Sequence, residues 1–141
     1  MNILVGLDYG KVRCGIAISD PNHMIASPHK TVNNNLLIDS LVEINNEYGI
    51  SKLIVGLPKK MNNQIFDLEN DIQSVIKRIK KSIPSIIIER VDERFTSKIS
   101  KYFLNTSSHK QKNRRNKENL DKISASLILQ TYIDQKWYYP L

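Results

Sequence analysis

The sequence predicts an α/β fold built on a mixed five-stranded sheet, a three-strand meander plus two parallel strands, with helices on both faces. Three observations predict it. Ile3 to Leu7, Lys52 to Pro58 and Ser85 to Val91 are short runs rich in branched apolar residues, which marks them as strands rather than helices. Turn residues follow the first run closely, so the first strands connect without room for a crossover helix. Segments with helical apolar spacing separate the later strands, which makes those connections right-handed crossovers between parallel neighbours.

In chain order, Ile3 to Leu7 is a central strand that delivers Asp8 to its end between Gly6 and Gly10. Residues 14–20 form its antiparallel hairpin partner, broken by Pro21. Residues 25–32 form an edge strand, because Pro28 would remove a ladder hydrogen bond from a central one. Asn33, Asn34 and Asn35 offer a helix cap, and Leu37, Leu41, Ile44 and Tyr48 recur at helical spacing until Gly49. The strand at 52–58 lies parallel to the first. After a polar loop at 59–64, Leu68, Ile72, Val75, Ile79 and Ile83 line the inner face of a helix whose solvated face carries Lys77, Arg78, Lys80 and Lys81. The strand at 85–91 then presents Asp92, Glu93 and Arg94. Thr96 or Ser97 caps a short helix with Ile99, Tyr102 and Phe103 on one face. Residues 105–118 lack periodicity and read as a mobile basic loop, and a final helix runs from about Asn119 to Gln135.

Length and composition limit the function. The 141 residues, 40% hydrophobic and 25% charged, are those of one globular domain covering 1–141. No apolar run reaches the length of a membrane span, and the amino terminus lacks a signal-peptide layout, so a cytoplasmic protein with no membrane partner is expected. The single cysteine, Cys14, sits inside an apolar strand and reads as an inert buried thiol, and no CxxC or His/Cys cluster supports structural zinc. Net charge is +7, and residues 109–117 hold Lys110, Lys112, Arg114, Arg115 and Lys117 without an acid. Charge concentrated in this way points to nucleic acid.

Three carboxylates fall outside the carboxyl ends of the parallel strands, where open α/β sheets place their sites. Asp8 ends the first strand, Glu93 follows the last, and Asp121 shares a helix face with Ser124 and Ala125, small residues that permit close approach to the sheet. Each also has a plain structural reading. Asp8 fits a turn, Asp121 suits a helix's first turn, and Glu93 could pair with Arg94 or Arg13. Together, three converging carboxylates require a cation. Oxygen-only ligands suit Mg²⁺ or Mn²⁺, and a paired-metal site can activate water and stabilise the leaving oxygen in phosphodiester hydrolysis.

The segments Gly6-Leu7-Asp8-Tyr9-Gly10 with Arg13, Gly15-Ile16-Ala17-Ile18-Ser19-Asp20, Val55-Gly56-Leu57-Pro58, Val91-Asp92-Glu93-Arg94-Phe95-Thr96, and Asp121 with residues 124–129 closely resemble the YqgF family. The likeness runs nearly end to end. That family is described as pre-16S rRNA nucleases and as Holliday junction resolvases with a ribonuclease H-like fold. The resemblance implies a hydrolase in which Asp8, Glu93 and Asp121 are the catalytic and metal-binding set for Mg²⁺ or Mn²⁺. It implies Arg13, Arg94, Lys110, Lys112, Arg114, Arg115 and Lys117 as nucleic-acid contacts. The expected activity is metal-dependent cleavage of structured RNA in 5′-end processing of pre-16S rRNA, leaving a 3′-hydroxyl and a 5′-phosphate. Ribosomal precursor particles are expected partners, and a monomer or weak dimer the expected state. Two alternatives stand beside it: a resolvase acting on four-way DNA junctions, and a non-catalytic rRNA-binding assembly factor. The chain departs from the family pattern at Val12, before Arg13, and at Asn62-Asn63, after Met61.

Overall fold

The structure, a computed structural model, describes residues 2–58, 63–92 and 113–138, with backbone alone for 63–66, 113–119 and 137–138. Its strands are β1 (Ile3–Asp8), β2 (Arg13–Ser19), β3 (Ala26–Asn33), β4 (Ile50–Leu57) and β5 (Ile87–Asp92). They form one sheet in the order β3-β2-β1-β4-β5. The expected meander is antiparallel, and β4 and β5 continue the sheet in parallel on the other side of β1. Pro28 lies on edge strand β3, beside a register shift between Ile16 and Ala17. The edge accommodates a residue that cannot donate to a ladder.

The helices are α1 (Leu37–Tyr48), α2 (Asn63–Ser82) and α3 (Asn113–Tyr138). Gly49 ends α1 at φ 79°, a left-handed conformation that glycine takes without steric cost, and its N–H donates to the Asn45 carbonyl at 2.9 Å. The start of α1 differs from expectation. A 3₁₀ turn (Asn34–Leu36) precedes it, and no asparagine side chain caps either helix. The Asn34 side chain is used elsewhere, as described below.

Strand alternation gives the two sheet faces different contents. Ile3, Val5 and Leu7 of β1, with Cys14, Ile16, Leu53 and Val55, pack against Leu37, Leu41 and Ile44 of α1 and Ile72, Val75, Ile76 and Ile79 of α2. The opposite face carries Leu4, Ala17, Ile54 and Val91 beneath Ala125, Ile128, Leu129, Tyr132 and Ile133 of α3. Lys77, Arg78, Lys80 and Lys81 of α2 are exposed, as their helical spacing requires.

Several boundaries shift by one to three residues and one by six. Residues 63 and 64 open α2 instead of closing the preceding loop, and α3 begins at Asn113, six residues before the expected start. Residues 113–118 of the expected basic loop are therefore helical, which corrects that reading for Arg114, Arg115 and Lys117. Arg, Lys and Glu are good helix formers, no Gly or Pro intervenes, and Glu118 stands four residues before Lys122. Such a segment needs no apolar stripe to be helical when it continues a packed helix. The expected short helix at 96–103 and residues 105–112 lie outside the described residues.

Candidate active site

Asp8 is the last residue of β1 and shares the α3-facing side of the strand with Leu4 and Gly6. Small residues pave the way to it. A Cβ on Gly6 would lie 2.7 Å from the Ala125 carbonyl oxygen and 2.8 Å from the Leu129 Cβ. A Cβ on Gly15 would collide with the backbone carbonyl of Asp121. Gly15 is in turn the ladder partner of Asp8. Asp121, Ala125 and Leu129 recur at four-residue spacing along α3, so the helix lies with its backbone on bare glycine backbone, and its Asp121 turn reaches the residue opposite Asp8. The sheet and the helix thereby bring Asp8 and Asp121 to one place at the carboxyl end of β1. Glu93, the residue after β5, lies outside the described residues, as do Arg94, Lys110 and Lys112. Arg114, Arg115 and Lys117 fall on the first two turns of α3, upstream of Asp121.

Arg13 opens β2, and its Nε donates to the Asp121 Oδ2 at 2.9 Å. Both side chains are partly exposed. The turn carrying Arg13 is held by Asn34, whose backbone N–H donates to the Val12 carbonyl at 2.9 Å and whose side-chain amide donates to the Gly10 carbonyl at 2.8 Å. A Cβ on Gly10 would collide with the Arg13 carbonyl, so the turn closes as tightly as it does only with glycine there. Asn34 is a residue that sequence spacing assigned to capping; its signal is the unusual run of three asparagines.

Cys14 lies beneath this turn, fully buried, with its thiol 3.6 Å from the Gly10 carbonyl. Burial, with smaller contributions from the charges of Asp8 and Asp121, pushes the thiol up to about 11. Because the thiol stays protonated, it offers no soft thiolate. The donors gathered here are carboxylate oxygens, which fits a hard divalent ion such as Mg²⁺ or Mn²⁺. Among the described residues no group of three His, Cys, Asp or Glu side chains assembles.

A second device braces the neighbouring strand end. The Arg90 guanidinium makes two bonds to the Glu69 carboxylate of α2, at 2.8 and 2.9 Å. It also donates to the carbonyls of Val55 and Gly56, at 3.3 and 3.0 Å. The Arg90 bond holds the Glu69 carboxyl below its ordinary value. This cross-brace fixes the β4 end just before Leu57 and Pro58. Sequence spacing missed it, although an arginine inside an apolar strand was its visible signal.

A mixed sheet whose central strand ends in a carboxylate, with a second carboxylate carried onto it by the final helix, defines a ribonuclease H-like domain. The chain belongs to the family described as "RuvX: Holliday junction resolvase", whose model matches residues 2–135. A Bacteroides fragilis protein named "Putative pre-16S rRNA nuclease" is 38% identical over 136 residues, covering 96% of this chain and 99% of that relative. A Karelsulcia muelleri protein of the same name is 39% identical over 136 residues, covering 94% and 99%. Among solved structures, T. thermophilus RuvC in complex with Holliday junction substrate superposes with a TM-score of 0.59 at 8% identity, covering 97% of this chain and 96% of that one, a likeness of fold.

Proposed function

We propose that this protein is a divalent-metal-dependent endonuclease that hydrolyses phosphodiester bonds of structured RNA, with the 5′ end of pre-16S rRNA as its substrate. The observation that carries the reading is the seating of the Asp121 turn on Gly15, opposite Asp8. Two carboxylates are brought to one strand end by backbone contacts too close for any other residue, in a chain similar over nearly its whole length to relatives named for this substrate.

Asp8, Asp121 and Glu93 would hold Mg²⁺ or Mn²⁺. Bound there, the ion supplies an activated water and charge stabilisation for the leaving oxygen. The chain's own residues do the rest. Asp8 is fixed by the β1–β2 ladder, Asp121 is oriented by the Arg13 Nε, and the Arg13 guanidinium stands beside the carboxylates where a phosphate's non-bridging oxygens would approach. Glu93 orients the attacking water. Arg94, Lys110, Lys112, Arg114, Arg115 and Lys117 hold the strand by its phosphates, and hydrolysis leaves a 3′-hydroxyl and a 5′-phosphate.

The test presents a precursor of small-subunit rRNA and a four-way DNA junction side by side, with Mg²⁺ or Mn²⁺, to wild type and Asp8→Asn. RNA cleavage that disappears in the variant supports the reading. The family description favours one other substrate, the DNA junction. Paired nicks in the junction with intact RNA would transfer the same chemistry to DNA. Binding of RNA without cleavage by either form would leave an assembly factor.

A further inference from the structure

The carboxyl-terminal end of helix α3 borders a cavity that the acidic centre does not use. At the amino ends of β1 and β4, on the same sheet face as Asp8, lies a cavity of about 230 Å³. Leu4 and Ile133 form its apolar floor, and His23, Lys52 and Lys136 stand around it. These three basic side chains come from three separate elements: the turn after β2, strand β4 and the last turn of α3. Nothing in the acidic centre explains their convergence.

The local arrangement keeps the cavity positive. Tyr132 is its buried pivot, with the Lys52 Nζ 5.9 Å and the Lys136 Nζ 5.5 Å from its ring centroid. Lys52 also donates to the Tyr132 hydroxyl at 3.1 Å and lies 3.8 Å from a Glu89 carboxylate oxygen. Glu89 thus offsets one lysine without lining the cavity. Among the described residues Lys136 makes no ion pair. His23 is held at φ 58°, a left-handed conformation, by its N–H bond to the Asp20 carbonyl at 3.0 Å, and its Nε2 lies 3.0 Å from the Asn2 carbonyl oxygen. The turn accepts that backbone cost and sets the imidazole at the rim.

We infer that this cavity is a phosphate-binding site, separate from the carboxylates, that receives a phosphate group of the nucleic acid being cut. The inference rests on the nuclease reading for the source of the phosphate, though not for the chemistry of the site. Its size is several times the roughly 30 Å³ of one water, enough for a hydrated phosphate, yet below the roughly 300 Å³ where pockets for larger organic ligands begin. Lysine ammonium groups act as point charges toward phosphate oxygens, and the apolar floor weakens competing hydration. From Asp121 to Lys136 the helix rises about 22 Å, less than the roughly 34 Å of one turn of B-form DNA. A single helical segment lying along α3 would meet both ends.

The test uses the whole protein and the double variant His23→Asn/Lys136→Gln, since asparagine tolerates the left-handed backbone at position 23. In one arm, NMR follows the His23 ring and Lys136 ε-methylene signals during titration with inorganic phosphate and with 5′-AMP. In the other, an RNA duplex is titrated onto Asp8→Asn protein carrying the same labels, and RNA affinity is measured against salt for wild type and the double variant. Expected are shifts of both signals with RNA, about tenfold weaker RNA binding in the double variant, a salt slope smaller by about one, and unchanged kcat at saturating RNA. Saturation by inorganic phosphate or 5′-AMP with unaltered RNA affinity would keep the phosphate site and make a free phosphate compound its occupant. If no probe moves either signal, the inference is overturned. Should the double variant melt early, Lys136→Gln alone and the wild-type titrations carry the test. A wild type that cuts neither RNA nor a four-way DNA junction would remove the nuclease reading and would leave the phosphate titration to judge the cavity.

Discussion

The two faces of the sheet solve different problems with the same strands. On the α1/α2 face, the buried strand positions are large aliphatics and Cys14, and the helices stand off at the distance that Leu and Ile side chains impose. On the α3 face, Gly6, Gly15 and Ala17 leave bare backbone, and the helix settles directly onto it. The first face supplies burial, which depends on volume. The second supplies position, which depends on the absence of volume. A difference of this kind predicts that mutations on the two faces fail in different ways.

The largest separation should come from pairing Asp8→Asn with Leu41→Ala. Asp8→Asn removes a charge of the proposed metal-binding set at a partly exposed strand end, so cleavage should fall by more than the roughly 10–100-fold typical of losing an outer-shell partner, with the melting curve little changed. Leu41→Ala empties a fully buried site on the other face and should cost about 2–5 kcal/mol of stability, while the folded fraction cuts normally. Denaturant titrations beside single-turnover cleavage check both. If Leu41→Ala lowered the cleavage rate per folded molecule as Asp8→Asn does, the division between faces would fail.

Gly15→Ala tests the positioning face directly. The new Cβ meets the Asp121 carbonyl, which is backbone and cannot rotate away, so α3 must lift. Overpacking of this kind costs about 1–3 kcal/mol. Here it should also lower cleavage in the molecules that remain folded, because Asp121 moves with the helix. Wild-type turnover per folded molecule would mean that the close seating serves packing alone.

Arg90→Met should cost less, about 1–2 kcal/mol, by leaving the Glu69 carboxylate and the Val55 and Gly56 carbonyls without their donor. The pH dependence carries the sign. Glu69 has a depressed carboxyl in the fold, so the brace contributes fully above the unfolded value of 4.5 and is lost as pH falls through the lower folded value. Wild type and Arg90→Met should therefore converge in stability under acid, and a constant gap between pH 7 and pH 3 would remove the brace from the account.

The same contrast explains what the sequence makes visible. Strands β1, β4 and β5, helix α2 and the body of α3 announce themselves because apolar spacing is local and repeats. The carboxyl-end location of Asp8 follows from strand polarity and topology alone. The Asn34 tie, the Arg90–Glu69 brace and the Arg13–Asp121 pair each join elements distant in sequence, through bonds that leave no periodic trace. The early start of α3 is hidden for another reason. Asn113 to Glu118 has helix-forming residues without an apolar stripe, so its helicity is inherited from the packed turns that follow.

At neutral pH Cys14 gives the smallest effect, and it gives the finest view of where the faces meet. It points into the α1/α2 core yet lies close enough to the α3 face to feel the charges of Asp8 and Asp121. Its thiol stands at about 11 in the fold against 9.0 unperturbed, chiefly because it is buried. A raised folded value means that the folded state holds its proton more tightly, so the contribution is fully present below pH 9.0 and is lost as pH rises toward 11. At neutral pH, Cys14→Ala should therefore differ from wild type only by a small packing loss. Between pH 9 and 11 wild type should lose up to about 2–3 kcal/mol that the variant retains, since each pKa unit is worth about 1.4 kcal/mol. Urea titrations of both proteins across that range, with iodoacetamide alkylation rates as the second readout, measure it. Parallel stability curves together with rapid alkylation at pH 8 would show a thiol open to solvent, and the tightly closed Gly10–Arg13 turn above it would have to be redrawn.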